Sequence, residues 1–175
     1  MKAKMLVMCL ILFSIFAIAQ ESPYSGEESR QVKSLSESDI KAYLNGSGLG
    51  YAKAAELNHY PGPSHVLELA VQIDLSEQQH SETEALFTRM QEQASDLGRR
   101  YVDKEAELDE AFSSGTIASA KLRSLLEEIA GIESAIRFVH LNAHLEQSRI
   151  LTADQARLYD QLRGYGVDHD QHSHH

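Results

Sequence analysis

Cysteine is almost missing from this chain: of 175 residues only Cys9 carries a thiol, and it lies inside an apolar N-terminal run expected to be removed. The remainder therefore has no disulfide, no thiolate-held metal and no thiol nucleophile. Basic charge is scarce too. Lys and Arg number 16 against 26 Asp and Glu, a formal net charge of −10, and so acidic a surface disfavours nucleic acid as a partner. Strand signals are lacking, because each short apolar run sits within a 3.6-residue pattern. No Ser, His and Asp and no paired carboxylates form a catalytic group, so enzyme activity is not expected. Stability has to come from helix packing.

What is present begins with an export signal. Lys2 and Lys4 precede the run Met5–Ala19, which only Ser14 interrupts, and Ala17-Ile18-Ala19 supplies the small residues that signal peptidase needs before Gln20. The run is short against the ~18–20 apolar residues of a spanning helix. Residues 1–19 are therefore read as a cleaved signal peptide, with no membrane span left after cleavage. Cys9 follows Met8, not a small residue, and is no lipid attachment site. Residues 20–35, rich in Ser, Glu and Gly, read as a disordered leader. Residues 36–165 form a single helical domain, and 166–175 a His-rich flexible tail.

Helix signals fill the domain. Ser36 and Asp39 read as a capping box for a short helix through Ile40, Tyr43 and Leu44, ended by Asn45-Gly46. The glycines Gly46, Gly48 and Gly50 lack the spacing of a phosphate loop. A second short helix is expected over Leu49–Leu57. Tyr60-Pro61-Gly62-Pro63 is a rigid turn, and Pro63 opens a helix through Val66, Leu67, Leu69 and Ala70. From the Ser76/Gln79 capping box, Thr83, Phe87, Met90, Ala94, Leu97, Tyr101, Leu108 and Phe112 step by three and four. That predicts about 36 helical residues, roughly 54 Å long. After Ser113-Ser114-Gly115 a second long helix runs through Leu122, Leu125, Ile129, Ile132, Ile136, Val139 and Ala143. A last one, capped by Thr152 and Gln155, carries Ala156, Leu158, Tyr159 and Leu162 to Gly164. Two long amphipathic helices joined by a tight turn must fold antiparallel to bury their facing stripes. The expected fold is all-α.

Two capping sequences share one pattern: Leu75-Ser76-Glu77-Gln78-Gln79 and Leu151-Thr152-Ala153-Asp154-Gln155. One opens the pair of long helices and the other follows it. In a signal-bearing helical chain this pairing resembles the Spy/CpxP family of periplasmic stress proteins and its branch of heavy-metal sensor and resistance proteins, over roughly Pro61–Tyr165. The resemblance implies a hooked four-helix hairpin that dimerises into a cradle in the periplasm. It also implies one of several roles. These are metal binding as a sensor or buffer in heavy-metal resistance, ATP-independent chaperoning of unfolded periplasmic proteins, and restraint of an envelope stress sensor. The chain departs from the metal branch twice. It reads as cleaved where anchored sensors keep a span, and it has His140 and His144 where that branch tends to have His then Met.

His140-Leu141-Asn142-Ala143-His144 places two imidazoles one turn apart on one helix face, a spacing that can grip one divalent ion. Leu141 occupies the general-base position of H-E-x-x-H, so zinc-protease chemistry is excluded. In an antiparallel pair turning near Ser114-Gly115, positions whose numbers sum to about 230 face each other. His140 and His144 then look across at Leu86, Phe87 and Met90, with His80 and Glu84 a turn away. His65 and His59 come from the region where the metal branch takes one of its ligands. The expected metal ligands are His140, His144, His65 and Glu84. With no thiolate or thioether beside them, they suit Zn²⁺, Ni²⁺, Co²⁺ or Cu²⁺ better than Cu⁺. The tail, with His169, His172, His174 and His175, can collect the same ions loosely. Arg89, Arg99, Arg100 and Lys104 form the densest basic run, a rim for unfolded chains under the chaperone reading.

Overall fold

The computed structural model describes residues 22–165; the signal peptide expected over 1–19 and the His-rich tail expected over 166–175 lie outside the described residues. Among the described residues the structure is all-helical. After a single 3₁₀ turn at Glu27–Ser29 come α1 (Glu37–Leu44), α2 (Lys53–Glu56), α3 (Pro63–Glu68), α4 (Glu77–Ser113), α5 (Ser119–Ile150) and α6 (Ala153–Leu162). Among the described residues no helix is long and apolar enough to cross a membrane.

α4 and α5 are two long helices packed on one another. Thr83 pairs with Gln147, Arg89 with Glu146, Lys104 with Glu128 and Glu107 with Lys121, so partners descend along one helix as they ascend along the other. The α5 face is the one its periodicity predicts: Leu125, Ile129, Ile132, Ile136 and Ala143 are buried. The α4 face differs in part. Thr83, Leu86, Ala94, Gly98 and Glu105 are the buried residues there, while Phe112 is exposed. α4 is covered from two sides, by α5 and by the N-terminal elements, and no single stripe describes it.

Gly98 shows the second contact. A Cβ there would fall 2.7 Å from the Tyr43 carbonyl carbon and closer still to its oxygen, so α1 can cross α4 only where the side chain is missing. Ser95 Oγ donates to Leu44 O at 2.6 Å, and the Tyr43 and Tyr101 rings lie 4.5 Å apart. The segment expected as a disordered leader is ordered against α4 over its described part. Val32 is 1% exposed and Leu35 is buried, Ser34 Oγ donates to the buried Glu105 at 2.7 Å, and Lys33 pairs with Asp109. Two apolar anchors in a polar stretch suffice because α4 supplies the complementary surface. α2 and α3 are also shorter than expected; Leu49, in the predicted second helix, has φ 44° and belongs to the preceding turn.

The two Leu-[Ser/Thr]-x-x-Gln sequences meet in space. Ser76 and Thr152 cap α4 and α6 through full capping boxes. Each glutamine amide then reaches across to the other motif. Gln79 Nε2 donates to Gln155 Oε1 at 2.8 Å and to Ile150 O at 2.9 Å; Gln155 Nε2 donates to Gln79 Oε1 at 2.9 Å and to Asp74 O at 3.1 Å. The motif leucines lie beneath: Leu151 joins a cluster with Val66, Ile73 and Tyr159, and Leu75 packs against it. This clasp ties α6 to the start of α4. Net hydrogen bonds contribute about 1 kcal/mol each, so Gln79→Ala and Gln155→Ala should each cost about 1–2 kcal/mol in urea unfolding. Because the two share one amide pair, the double variant should cost less than the sum by roughly 1 kcal/mol. Strict additivity would show that the amides do not act as a unit.

Candidate metal centre

The buried face of α5 turns polar at its C-terminal end. In register with Ile132, Ile136 and Ala143 come His140, 3% exposed, then His144, 8% exposed, and Gln147. Burying such groups is costly unless they find partners. Gln147 donates to Thr83 Oγ1 at 3.1 Å. His144 Nδ1 lies 2.7 Å from the Tyr60 carbonyl oxygen. A carbonyl only accepts, so Nδ1 carries the proton, and the neutral ring keeps its lone pair on Nε2. This arrangement, a backbone carbonyl fixing the tautomer and tilt of an imidazole, is the usual support of a metal-ligating histidine.

The approach of the turn to this ring depends on Gly62. A Cβ there would lie 2.8 Å from His144 Cε1 and 3.0 Å from Nε2, so any larger residue would push Tyr60 and Pro61 off the helix. His140 Nε2 is buried without a hydrogen-bond partner. Its ring stacks on Tyr51, with centroids 6.3 Å apart. Tyr51 in turn bonds to Tyr43, 3.0 Å between hydroxyls, and donates to Glu133 at 3.4 Å. Burial first, and the neighbouring His144 second, hold the His140 pKa below the usual imidazole value, which favours the neutral, lone-pair-bearing form.

Both imidazoles line a cavity of ≈ 520 Å³. His65, Glu56, Lys53, Phe87, Met90 and the turn at Asn45–Gly48 line it too. Of the expected ligands, His140, His144 and His65 are therefore brought to one cavity, together with the Phe87 and Met90 that facing positions predict. Glu84 is not. It points to solvent beside His80, Nδ1 to Oε2 3.5 Å, because it follows the buried Thr83 and is rotated about 100° around α4 from that seam position. His65 turns its Nδ1 to Glu68 at 3.0 Å, and His59 Nδ1 lies 3.0 Å from Asp160. Among the described residues no three His, Cys, Asp or Glu side chains are grouped closely enough to hold an ion unaided.

The carboxylate of the cavity is Glu56, which the sequence reading missed. It is largely buried at the end of a four-residue helix, a position with no periodic signal. Glu56 Oε1 accepts from Tyr159 Oη at 2.5 Å and lies 3.5 Å from Arg163 Nε; Oε2 lies 3.7 Å from His144 Nδ1 and has no hydrogen-bond partner. Burial and this carboxylate raise the Tyr159 pKa, so the phenol stays protonated as the donor. The donor set thus consists of two imidazoles with defined or unpartnered nitrogens, a third histidine at the rim and one carboxylate oxygen free to accept. These are the kinds of group that ligate borderline divalent ions, but among the described residues no three of them stand together as an ion site.

The depressed His140 pKa has a signed consequence. The unfolded chain takes up a proton on this histidine near pH 6.5, whereas the folded protein resists until lower pH. The associated stability is complete above about 6.5 and is lost as pH falls from there through the folded value. Thermal melts from pH 7.5 to 5.5 should show a steeper fall for the wild type than for His140→Leu. Parallel curves would mean that His140 titrates alike in both states.

No family model, no curated protein and no solved structure matches this chain.

Proposed function

We propose that this protein is an exported, periplasmic metal-binding protein, a sensor or buffer in heavy-metal resistance. It takes a divalent transition ion on the imidazoles of His140 and His144. The observation that carries this reading is the pair itself: two histidines one turn apart on a buried helix face. One has its tautomer fixed by the Tyr60 carbonyl and the other leaves Nε2 without a partner. His65 and Glu56 line the same cavity and are the further donors of this reading, Glu56 taking the place of the Glu84 expected from the facing positions. In this reading the long helices form a hooked hairpin whose copies pair, so that occupancy of the cavity is presented to a partner.

A second reading, ATP-independent protection of unfolded proteins, is favoured by the outer face of α5. Leu126, Phe138 and Leu145 are exposed there, Phe138 by 65%, with Arg123 before them and Arg137 between. The basic run on α4 supports it less, since Arg89, Arg99 and Lys104 are engaged by Glu146, Asp96, and Glu107 with Glu128. Under this reading substoichiometric protein suppresses aggregation of an unfolded client, and Phe138→Glu reduces the suppression several-fold. Equal protection by the variant would remove α5 from consideration.

For the metal reading, protein ending at Tyr165 removes the tail histidines and keeps every described helix. Ni²⁺ or Zn²⁺ at about 100 times its Kd should stabilise it by roughly 2.7 kcal/mol, an upward Tm shift. The shift should vanish in the His140→Ala/His144→Ala double variant and shrink below pH 6, where imidazoles protonate. Unchanged binding in the double variant would refute the site.

A further inference from the structure

We infer that α6 is a lid that opens as a unit beside the histidine cavity, with or without an ion there, while α4 and α5 stay packed. α6 is held unevenly. Of its ten residues only Tyr159 is buried. That ring, 1% exposed, packs with Val66, Ile73 and Leu151, and its hydroxyl donates to Glu56 Oε1 at 2.5 Å. Leu158 and Leu162, the other large apolar residues of the helix, are exposed. Its further ties are polar: the Gln155 amide to Gln79 and to Asp74 O, Asp160 to His59, and Arg163 to Glu56.

These polar ties are poorly matched. Five buried side-chain polar atoms among the described residues lack a hydrogen-bond partner, and three of them, Glu56 Oε2, Asp160 Oδ1 and Arg163 Nε, lie along this one contact. A buried polar atom without a partner favours whichever state returns it to water, so all three favour opening. Burial of Tyr159 and the amide pair favour closure. The middle of the α4–α5 seam has no such opposition: Leu125, Ile129, Ile132 and Ile136 bury apolar side chains there. It therefore parts only when the whole fold unfolds. The joint is in place as well. Leu151 and Thr152 are extended between α5 and α6, with ψ 149° and 161°, and Leu151 belongs to the apolar cluster that stays behind. Opening carries Tyr159 away from Val66 and Ile73 and releases Glu56, which also lines the histidine cavity. The lid thus governs one flank of the candidate site.

Hydrogen exchange of the full chain without metal, read by mass spectrometry at neutral pH, is the test. An undocked helix of this length does not hold itself together, so opening exposes its amides. Amides over 157–162 should be protected, yet exchange about tenfold or more faster than those over 129–139. They should also accelerate less steeply with urea, because opening exposes less surface than unfolding. Ile136→Val, which weakens the seam, should speed exchange over 129–139 about fivefold and leave 157–162 unchanged. Tyr159→Phe, which removes the hydroxyl and keeps the ring, should speed 157–162 about tenfold. Equal acceleration of both segments by Ile136→Val overturns the inference, since α6 would then leave only on global unfolding. So does absence of protection over 157–162, because the helix would have no closed state. Unchanged exchange over 157–162 in Tyr159→Phe overturns it as well, by removing the latch.

Discussion

The reciprocal amide pair between Gln79 and Gln155 is the contact on which the remaining geometry depends. Two helix starts distant in sequence are locked together because each glutamine serves its own capping box and the other motif at once. Only a side-chain amide can do this, since it offers both an acceptor and two donors; a glutamate at either position would lack the donors. With the starts of α4 and α6 fixed, Leu75 and Leu151 have one place to go. The Val66, Ile73, Leu151 and Tyr159 cluster closes beneath them, and Tyr159 is thereby aimed at Glu56.

The same closure explains why a helix core can end in histidines. Apolar residues along α5 meet α4 as far as Ala143; at His144 the turn at Tyr60–Gly62 also comes against the helix, while Gln147 still meets Thr83 of α4. Turns carry backbone carbonyls that helices do not expose, and His144 uses one of them. A Leu at 144 would leave the Tyr60 carbonyl without a donor against an apolar wall, a cost of about 1–3 kcal/mol. Structural demand therefore accounts for one of the two imidazoles. It does not account for His140, whose buried Nε2 has no hydrogen-bond partner, and that unmet polarity is what the metal proposal rests on.

Sequence reasoning reached as far as local chemistry reaches. Capping boxes at Ser36, Ser76 and Thr152 are three-residue events, and all three stand where their residues place them. The α5 stripe was legible because one partner covers it. The α4 stripe was less so: α1 and the Val32–Leu35 segment add a second buried side, and Gly98, read as a weak helix former, is the crossing point. The facing-position argument brought His140 and His144 to Phe87 and Met90 correctly. It failed for Glu84, where a single residue, about 100° of rotation, separates the buried Thr83 from the solvent. Glu56 was invisible because its partners come from α6 and α5, Tyr159 standing 103 residues away in sequence, a distance no local pattern reaches.

Glu56 finally ties the cavity to the cap. Its charge is compensated chiefly from α6, by the Tyr159 hydroxyl and Arg163, because His144 has already given its Nδ1 proton to Tyr60. A dication entering beside His144 would draw Glu56 toward it, against a charge-assisted hydrogen bond of the kind worth about 1.5–3 kcal/mol. Under the metal proposal, binding at the histidines and docking of α6 would compete for one carboxylate. His59, on the same turn, holds Asp160 of α6, so the turn that orients His144 also grips the helix that retains Glu56.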